Sequence, residues 1–261
     1  MAQAIAILTI HTDEARHDHD AETFKASHGA HCSGNIRGLL ILREAVFYGG
    51  FIVLNVAIDW PASLGLPAAE IFAMLRDKPG AIFAGYYIYM ASSLLFIPIA
   101  CALRGALRSG DRTTDLVLDV AVGFAIASAI FRTLGILRWL FAMPALSQAY
   151  FDPAATEATR AAALLHYQVL DAYAGQIGEH LGVHLTAFGF LGCVALALFR
   201  TPSVSKVWAI WAAISALLFF PIADLLGVDG GMLLFVNGLT YSVWAIMFGV
   251  SLIRMSVAAE T

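Results

Sequence analysis

The chain has 261 residues, of which 60% are hydrophobic and only 13% are charged, and its mean hydropathy is +0.77. Soluble domains carry about 25% charged residues, so this composition excludes an ordinary soluble protein and indicates an integral membrane protein. The formal net charge of −4 gives no electrostatic basis for nucleic-acid binding.

Residues 1–36 form a polar segment rich in His, Asp and Ala, which we predict to be a disordered cytoplasmic tail. Several of its side chains could collect a metal ion, namely His17, His19, His28, His31 and Cys32. A solvated tail is the simpler interpretation, because nothing in the sequence fixes the geometry of these groups.

Six apolar stretches follow the tail, each close to the 20 or so residues that a transmembrane helix needs. They are residues 39–60, 81–103, 116–140, 174–199, 207–226 and 231–253. Backbone groups in lipid must be satisfied internally, so each stretch is predicted to be a helix. The sequence therefore predicts an all-α polytopic bundle, with six transmembrane helices within residues 37–256.

Residues 150–173 separate the third and fourth stretches and have an Ala-rich sequence that favours a helix. Asp152 and Pro153 suit the N-cap and the first position of such a helix. We predict an extracytoplasmic helix here. It either lies on the membrane surface as an interfacial or lid helix or extends directly into the fourth span.

The distribution of basic residues indicates the orientation of the bundle. Six spans place both termini on the same side, which collects ten Lys and Arg residues against four on the other side; Arg132, within a span, belongs to neither. The positive-inside rule therefore places both termini in the cytoplasm and the chain in the inner membrane.

In this orientation, polar side chains from all six helices fall near the outer ends of their spans. They are Asp59, Tyr86, Arg132, Arg138, Glu179, His180, Asp224 and Asn237. A charge costs roughly 2.5–3.5 kcal/mol at the centre of a transmembrane helix, so such groups tend to face the bundle interior and pair. We therefore predict an outward-facing polar pocket, in which Arg132 and Arg138 can neutralise Glu179, Asp59 or Asp224.

Four interpretations of this pocket stay open. His180 and His184 share a helix face and form half of a zinc site, which would make the chain a metal-dependent membrane-embedded hydrolase. One of the two histidines could instead ligate haem. The polar groups could orient a small or lipid-like ligand. Lastly, the charges could only fix helix packing, which Gly178 and Gly182 would support through close helix contact.

Two motifs resemble a known family, namely "GILRWLFAMPAL" at 135–146 and "IGEHLG" at 177–182, followed by the loop "FRTPSVSKVW". The chain is similar, over roughly residues 40–250, to the bacterial multi-pass membrane family called domain of unknown function 4386. The resemblance implies about six or seven spans and no particular reaction.

The resemblance includes Arg138, Pro144, Glu179 and His180, whereas His184 lies outside it, which weakens the two-histidine metal hypothesis. We therefore expect binding or sensing of a small or amphipathic ligand at the outer leaflet. A metal-dependent hydrolase, with zinc as its metal, is the alternative.

Overall fold

The computed structural model describes the backbone of residues 36–220 and 231–260 and the side chains of 36–220 and 236–251. The predicted tail, up to residue 35, and Asp224 lie outside the described residues. Every regular element in the described part is helical, so the all-α prediction is confirmed for it.

The helices follow one another along the chain with short connections. They are α1 Ile36–Ile58, α2 Ala68–Asp77, α3 Pro79–Leu94, α4 Phe96–Leu107, α5 Arg112–Leu137, α6 Met143–Phe151, α7 Glu157–Gln176, α8 Thr186–Arg200, α9 Lys206–Phe219 and α10 Gly231–Glu260. A 3₁₀ turn covers Ala62–Gly65, and two π-helical segments, here the first and second π segments, cover Arg138–Ala142 and Ile177–Leu185.

Several of these elements join into long continuous helices. Ile36–Ile58, Pro79–Leu107, Arg112–Phe151 and Glu157–Arg200 are each long and apolar enough to cross a membrane. The chain is therefore a multi-pass membrane protein. Lys206–Phe219 is a shorter apolar helix of 14 residues, and α10 has 30 residues.

The third helix does not end near Pro144, as the sequence predicted, but continues to Phe151 over 40 residues. The first π segment explains this continuation. The Met143 N–H bonds to the Arg138 carbonyl, five residues back, so the regular i to i−4 pattern is already interrupted. Pro144, which has no N–H to donate, follows directly after this wider turn and therefore does not break the helix.

The helix predicted within residues 150–173 forms, but it begins later than expected and is continuous with the fourth span. Thr156 caps it, accepting a 3.1 Å hydrogen bond from the Thr159 N–H. Asp152 is not the N-cap, because its carboxylate accepts from the Ala154 N–H within a preceding turn. The helix then runs directly into the fourth stretch as one element of 44 residues.

The buried apolar side chains form two clusters. The first core joins the start of α1 with α4, the first half of α5, α8, α9 and α10, and includes Phe96, Phe190 and Trp244. The second core joins the end of α1 with α2, α3 and α7, and includes Phe72 and Trp139. Along α5 and its continuation, the first core ends at residue 125 and the second begins at residue 136, so Arg132 lies between them.

Candidate functional site

The α5 helix and the second π segment approach each other closely because both are lined by glycine. A Cβ at Gly135 would lie 2.6 Å from the Gly178 Cα, and a Cβ at Gly182 would lie 2.8 Å from the backbone nitrogen of Arg132. The close contact predicted for Gly178 and Gly182 is therefore confirmed. This contact brings the two sequence motifs side by side.

Both π segments coincide with these motifs. In the second one, the Thr186 N–H bonds to the Leu181 carbonyl, again five residues back. A π turn contains an extra residue and is frequent at functional sites, because it displaces side chains from their α-helical positions. The two wider turns therefore determine where Arg138 and Glu179 project.

Arg138 lies at the centre of a first polar group, called here the Arg138 cluster. This cluster consists of Tyr86, Arg138, Trp139, Asp171 and Glu179. The buried guanidinium places Nε 3.2 Å from Asp171 Oδ1 and Nη2 3.8 Å from Glu179 Oε1. Its Nη1 donates a 3.2 Å hydrogen bond to the Gly135 carbonyl. The structure thus brings Arg138 and Glu179 together, with Asp171 as a second carboxylate.

The Arg138 cluster is enclosed on one side and open on the other. The Trp139 ring stacks on Tyr86 at a centroid distance of 5.3 Å, and the Arg138 guanidinium lies 5.4 Å from the Trp139 ring. The carboxylates are less enclosed, since the side chain of Asp171 is 33% exposed and that of Glu179 is 54% exposed. The buried Arg138 guanidinium is therefore connected to the protein surface through Asp171 and Glu179.

Arg132 does not join this cluster, contrary to the prediction of one shared pocket. Its Nε donates a 3.1 Å hydrogen bond to the Gly182 carbonyl, which also accepts from the hydroxyls of Ser128 and Thr186. Its guanidinium carbon lies 4.8 Å from the ring centroid of Phe96. The close approach of Gly182 to α5 puts this carbonyl within reach, so Arg132 bonds to backbone rather than to a carboxylate.

A second polar group, called here the Arg43 cluster, lies around Phe96. It consists of Arg43, Glu44, Phe96, Arg132, Tyr241 and Ser242. Arg43 Nη1 lies 2.6 Å from Glu44 Oε1, and the Ser242 hydroxyl donates a 2.6 Å hydrogen bond to Glu44 Oε2. The Arg43 guanidinium carbon lies 4.9 Å from the Phe96 centroid and 5.1 Å from that of Tyr241.

The Arg43 cluster was not predicted from the sequence, where Arg43 belongs to the ten basic residues counted on the side of the termini. The side chains of Arg43 and Glu44 are instead buried in the bundle. A signal was present, since both residues lie inside the predicted span 39–60. A buried charge pair on adjacent residues fits that position better than a solvated end does.

Comparison with known proteins adds the family. The model of the family described as a domain of unknown function, DUF4386, matches residues 36–256. The chain belongs to the DUF4386 family. The resemblance inferred from the two motifs is therefore confirmed, and the match includes both π segments and both polar clusters. No curated protein and no solved structure is significantly similar to the chain.

His180 and His184 of this DUF4386 protein lie on one side of the second π segment. Their ring centroids are 6.2 Å apart, and His184 Nδ1 lies 3.0 Å from the Phe219 carbonyl. Within the described residues, no three His, Cys, Asp or Glu side chains are grouped so that they could hold a metal ion. The described part therefore supplies half of a zinc site and does not fit a complete one.

Two other predicted site residues lie apart from Arg138 in different surroundings. Asp59 is exposed at the end of α1, where its φ of 54° is left-handed. Asn237 is fully buried on α10, one turn before Tyr241. The predicted single pocket is therefore divided, with Tyr86 and Glu179 beside Arg138 and with Asn237 on the α10 face that carries Tyr241.

Asp171 was not predicted as a member of the Arg138 cluster, because it lies in the stretch 150–173, outside the six predicted spans. Tyr167, one turn earlier, is buried, and its ring lies 5.4 Å from that of Phe72. The spacing of residues along α7 could have predicted this position of Asp171. Tyr167, Asp171, Gly175 and Gly178 recur every three or four residues, which places the acid on the same helix face as the glycines.

Proposed function

We propose that this DUF4386 protein is a six-span inner-membrane protein, with both termini in the cytoplasm, whose Arg138 cluster binds or senses a small or amphipathic ligand at the outer leaflet. One observation carries the proposal. The Arg138 guanidinium is buried, yet its partner Glu179 is more than half exposed. Ionisable groups within transmembrane bundles mark binding or transport sites by default.

The distances in the cluster favour exchange of partners. The 3.8 Å contact between Arg138 and Glu179 is longer than a hydrogen bond, so it contributes little that a ligand would have to replace. A carboxylate or phosphate on the ligand can accept hydrogen bonds from Nη1 and Nη2, because the planar guanidinium binds such anions through two hydrogen bonds. The 3.2 Å contact with Asp171 would keep Arg138 oriented meanwhile.

The surroundings of the guanidinium favour a ligand with an apolar part. The stacked rings of Tyr86 and Trp139 form a flat wall beside Arg138. Gly175 leaves room for the guanidinium, because a Cβ there would lie 3.3 Å from Arg138 Nη2. Tyr173, less than two turns before Glu179, is 70% exposed and adds an aromatic side chain to this part of the helix. The polar head of such a ligand would thus contact Arg138, and its apolar part would contact the aromatic side chains.

The orientation rests on the loops that carry basic residues. Arg43 and Arg138 are buried and leave the count, but nine basic residues against three still favour the side of the termini. Arg200 Nη2 lies 3.3 Å from Asp111 Oδ2, so the loops after α4 and after α8 meet at one end of the bundle. These two loops and the helix ends beside them carry five of the nine basic residues on that side, namely Arg104, Arg108, Arg112, Arg200 and Lys206.

Ligand binding can be tested on the full chain by mass spectrometry of molecules that co-purify in mild detergent. We expect the wild type to retain an amphipathic molecule that Arg138→Gln and Glu179→Gln retain at least about tenfold less. Glu157→Gln is the matched control, because Glu157 is an exposed acid at the start of α7. Equal retention by all four proteins, or none by the wild type, would contradict the proposal.

The orientation has its own test in single-cysteine variants of a cysteine-free chain. Lys78→Cys, in the connection between α2 and α3, should react in intact cells with a maleimide that does not cross membranes. Arg108→Cys, after α4, should react only after the membrane is permeabilised. Both positions are exposed in the structure, so the reagent can reach them. The reverse pattern would place the termini outside.

A further inference from the structure

The Arg43 cluster encloses more positive than negative charge. Arg43 and Arg132 supply two buried guanidiniums, whereas Glu44 supplies one carboxylate. No carboxylate of the described residues lies within ion-pair distance of Arg132, whose Nε bonds to a backbone carbonyl instead. A buried charge without a counter-charge is expensive, so one positive charge in this cluster requires compensation.

The two guanidiniums share one aromatic neighbour. Their central carbons lie 4.9 Å and 4.8 Å from the centroid of Phe96, so they are no more than about 10 Å apart, where like charges repel appreciably in a low-dielectric interior. The aromatic rings offset part of this cost through cation–π contact. They do not neutralise the excess charge, because an aromatic ring carries none.

Polar atoms without partners lie on the same side of the bundle. These atoms are buried and have no hydrogen-bond partner in the described structure. They are Oδ1 and Nδ2 of Asn237, the hydroxyl of Tyr241 and Nε of Arg43. Asn237 and Tyr241 are one turn apart on α10 and therefore share a face. Tyr241 lies 5.1 Å from the Arg43 guanidinium, which connects this face to the excess charge. Buried groups of this kind are uncommon and usually indicate an ion or a water molecule.

We propose that the Arg43 cluster binds one small monovalent anion, of the size of a halide, between the guanidiniums of Arg43 and Arg132 and the side chains of Asn237 and Tyr241. A single charge matches the single excess cation. The guanidinium, amide and hydroxyl groups all donate hydrogen bonds, as an anion requires. The rings of Phe96 and Tyr241 contact the Arg43 guanidinium, so an anion with a large polar surface would meet apolar neighbours there. This site is separate from the Arg138 cluster and does not rest on its proposed function.

Thermal unfolding of the full chain in detergent tests the site with chloride as the probe. When chloride replaces gluconate at constant ionic strength, we expect the wild-type Tm to rise by about 5 °C and to saturate. In Asn237→Leu this increment should disappear, because the amide donor is gone. Arg108→Gln is the control and should keep it, since Arg108 is exposed after α4 and belongs to neither cluster. Absence of a saturating increment in the wild type, or its persistence in Asn237→Leu, would overturn the proposal.

A second measurement does not depend on the folding of Asn237→Leu. Trp244 is buried, and its ring lies 6.0 Å from that of Tyr241, so iodide bound in the cluster should quench its fluorescence. We expect a saturable quenching component in the wild type that excess chloride removes and that is lost in Trp244→Phe. Quenching that is linear in iodide and insensitive to chloride would mean that the cluster binds no halide.

Discussion

The Arg138 and Arg43 clusters both hold a guanidinium inside the helix bundle, but their acidic partners differ in exposure. Glu179 and Asp171 reach the surface and lie at 3.8 Å and 3.2 Å, whereas Glu44 is buried at 2.6 Å and is also held by Ser242. Exposed ion pairs contribute little and exchange easily, whereas breaking a buried pair is costly. The Arg138 cluster is therefore suited to recognise a ligand, whereas the Arg43 cluster holds its charges permanently inside the bundle.

The largest effect is expected at the buried pair. Glu44→Ala should lower the free energy of unfolding by about 3–5 kcal/mol, because Arg43 would remain buried without its carboxylate. Ser242→Ala is the matched change, since it removes one hydrogen bond to the same carboxylate and should cost about 1.5 kcal/mol. Unfolding titrations of both variants in detergent measure these values. If the two variants were equally stable, Glu44 would not be the buried partner of Arg43.

The Arg138 cluster should behave differently, because each carboxylate can substitute for the other. Asp171→Asn and Glu179→Gln should each cost less than about 1 kcal/mol, since both groups are partly solvated. The double variant strands Arg138 and should cost about 3 kcal/mol, clearly more than the two single changes together. A double-mutant cycle on unfolding free energies measures this coupling. Additive costs would indicate that the two acids do not share one guanidinium.

The backbone contact that separates the two clusters can be tested by a single methyl group. Gly182→Ala should cost about 2 kcal/mol, because its Cβ would lie 2.8 Å from the Arg132 nitrogen and force α5 away. Gly192→Ala, on α8, is the control, because nothing lies within 4 Å of a Cβ there. That control should be neutral or slightly stabilising in the same unfolding assay. A neutral Gly182→Ala would show that the contact is loose.

The smallest effect is expected at the partly exposed pair of Asp111 and Arg200, in the loop before α5. Hydrogen bonds from Thr114, together with Arg200, hold the pKa of Asp111 at about 2, below its ordinary value of 3.8. Its stabilising contribution is therefore complete above pH 4 or so and is lost as the pH falls towards about 2. Asp111→Ala should lower the Tm by about 1 °C at pH 6 and have no effect near pH 2. A difference that does not change with pH would mean that the charge is irrelevant.

The sequence predicted helices well where length and apolar content decide the structure. The stretches near α1, α3 to α4, α5 and α8 all form helices, because lipid-embedded backbone has few other ways to satisfy its polar groups. The helix ends were less predictable. Pro144 is a helix breaker in most contexts, and only the preceding π turn makes it tolerable here, which hydropathy does not reveal.

The candidate site was predictable as a set of residue types but not as a set of neighbours. The sequence indicated that Arg138 and Glu179 needed partners, and the structure brings them together. Periodicity could not tell that Arg132 faces Phe96 rather than Glu179, because that choice depends on how α5 is rotated against α4. Asp171 could not be placed beside Arg138 without knowing that α7 continues into the second π segment, because this continuity puts Asp171 on the same helix face as Gly175 and Gly178.

The second π segment has a consequence for how α7 and α8 are phased. It accommodates one residue more than an α-helical path of the same rise would. If the segment kept all its residues but became an ordinary α-helix, α7 would turn by about 100° about its axis relative to α8, because each α-helical residue advances the chain by that angle. Asp171 would then move away from Arg138, while Phe190 kept its packing. The wider turn thus lets the longest described helix hold an extra residue and still present Asp171 to Arg138.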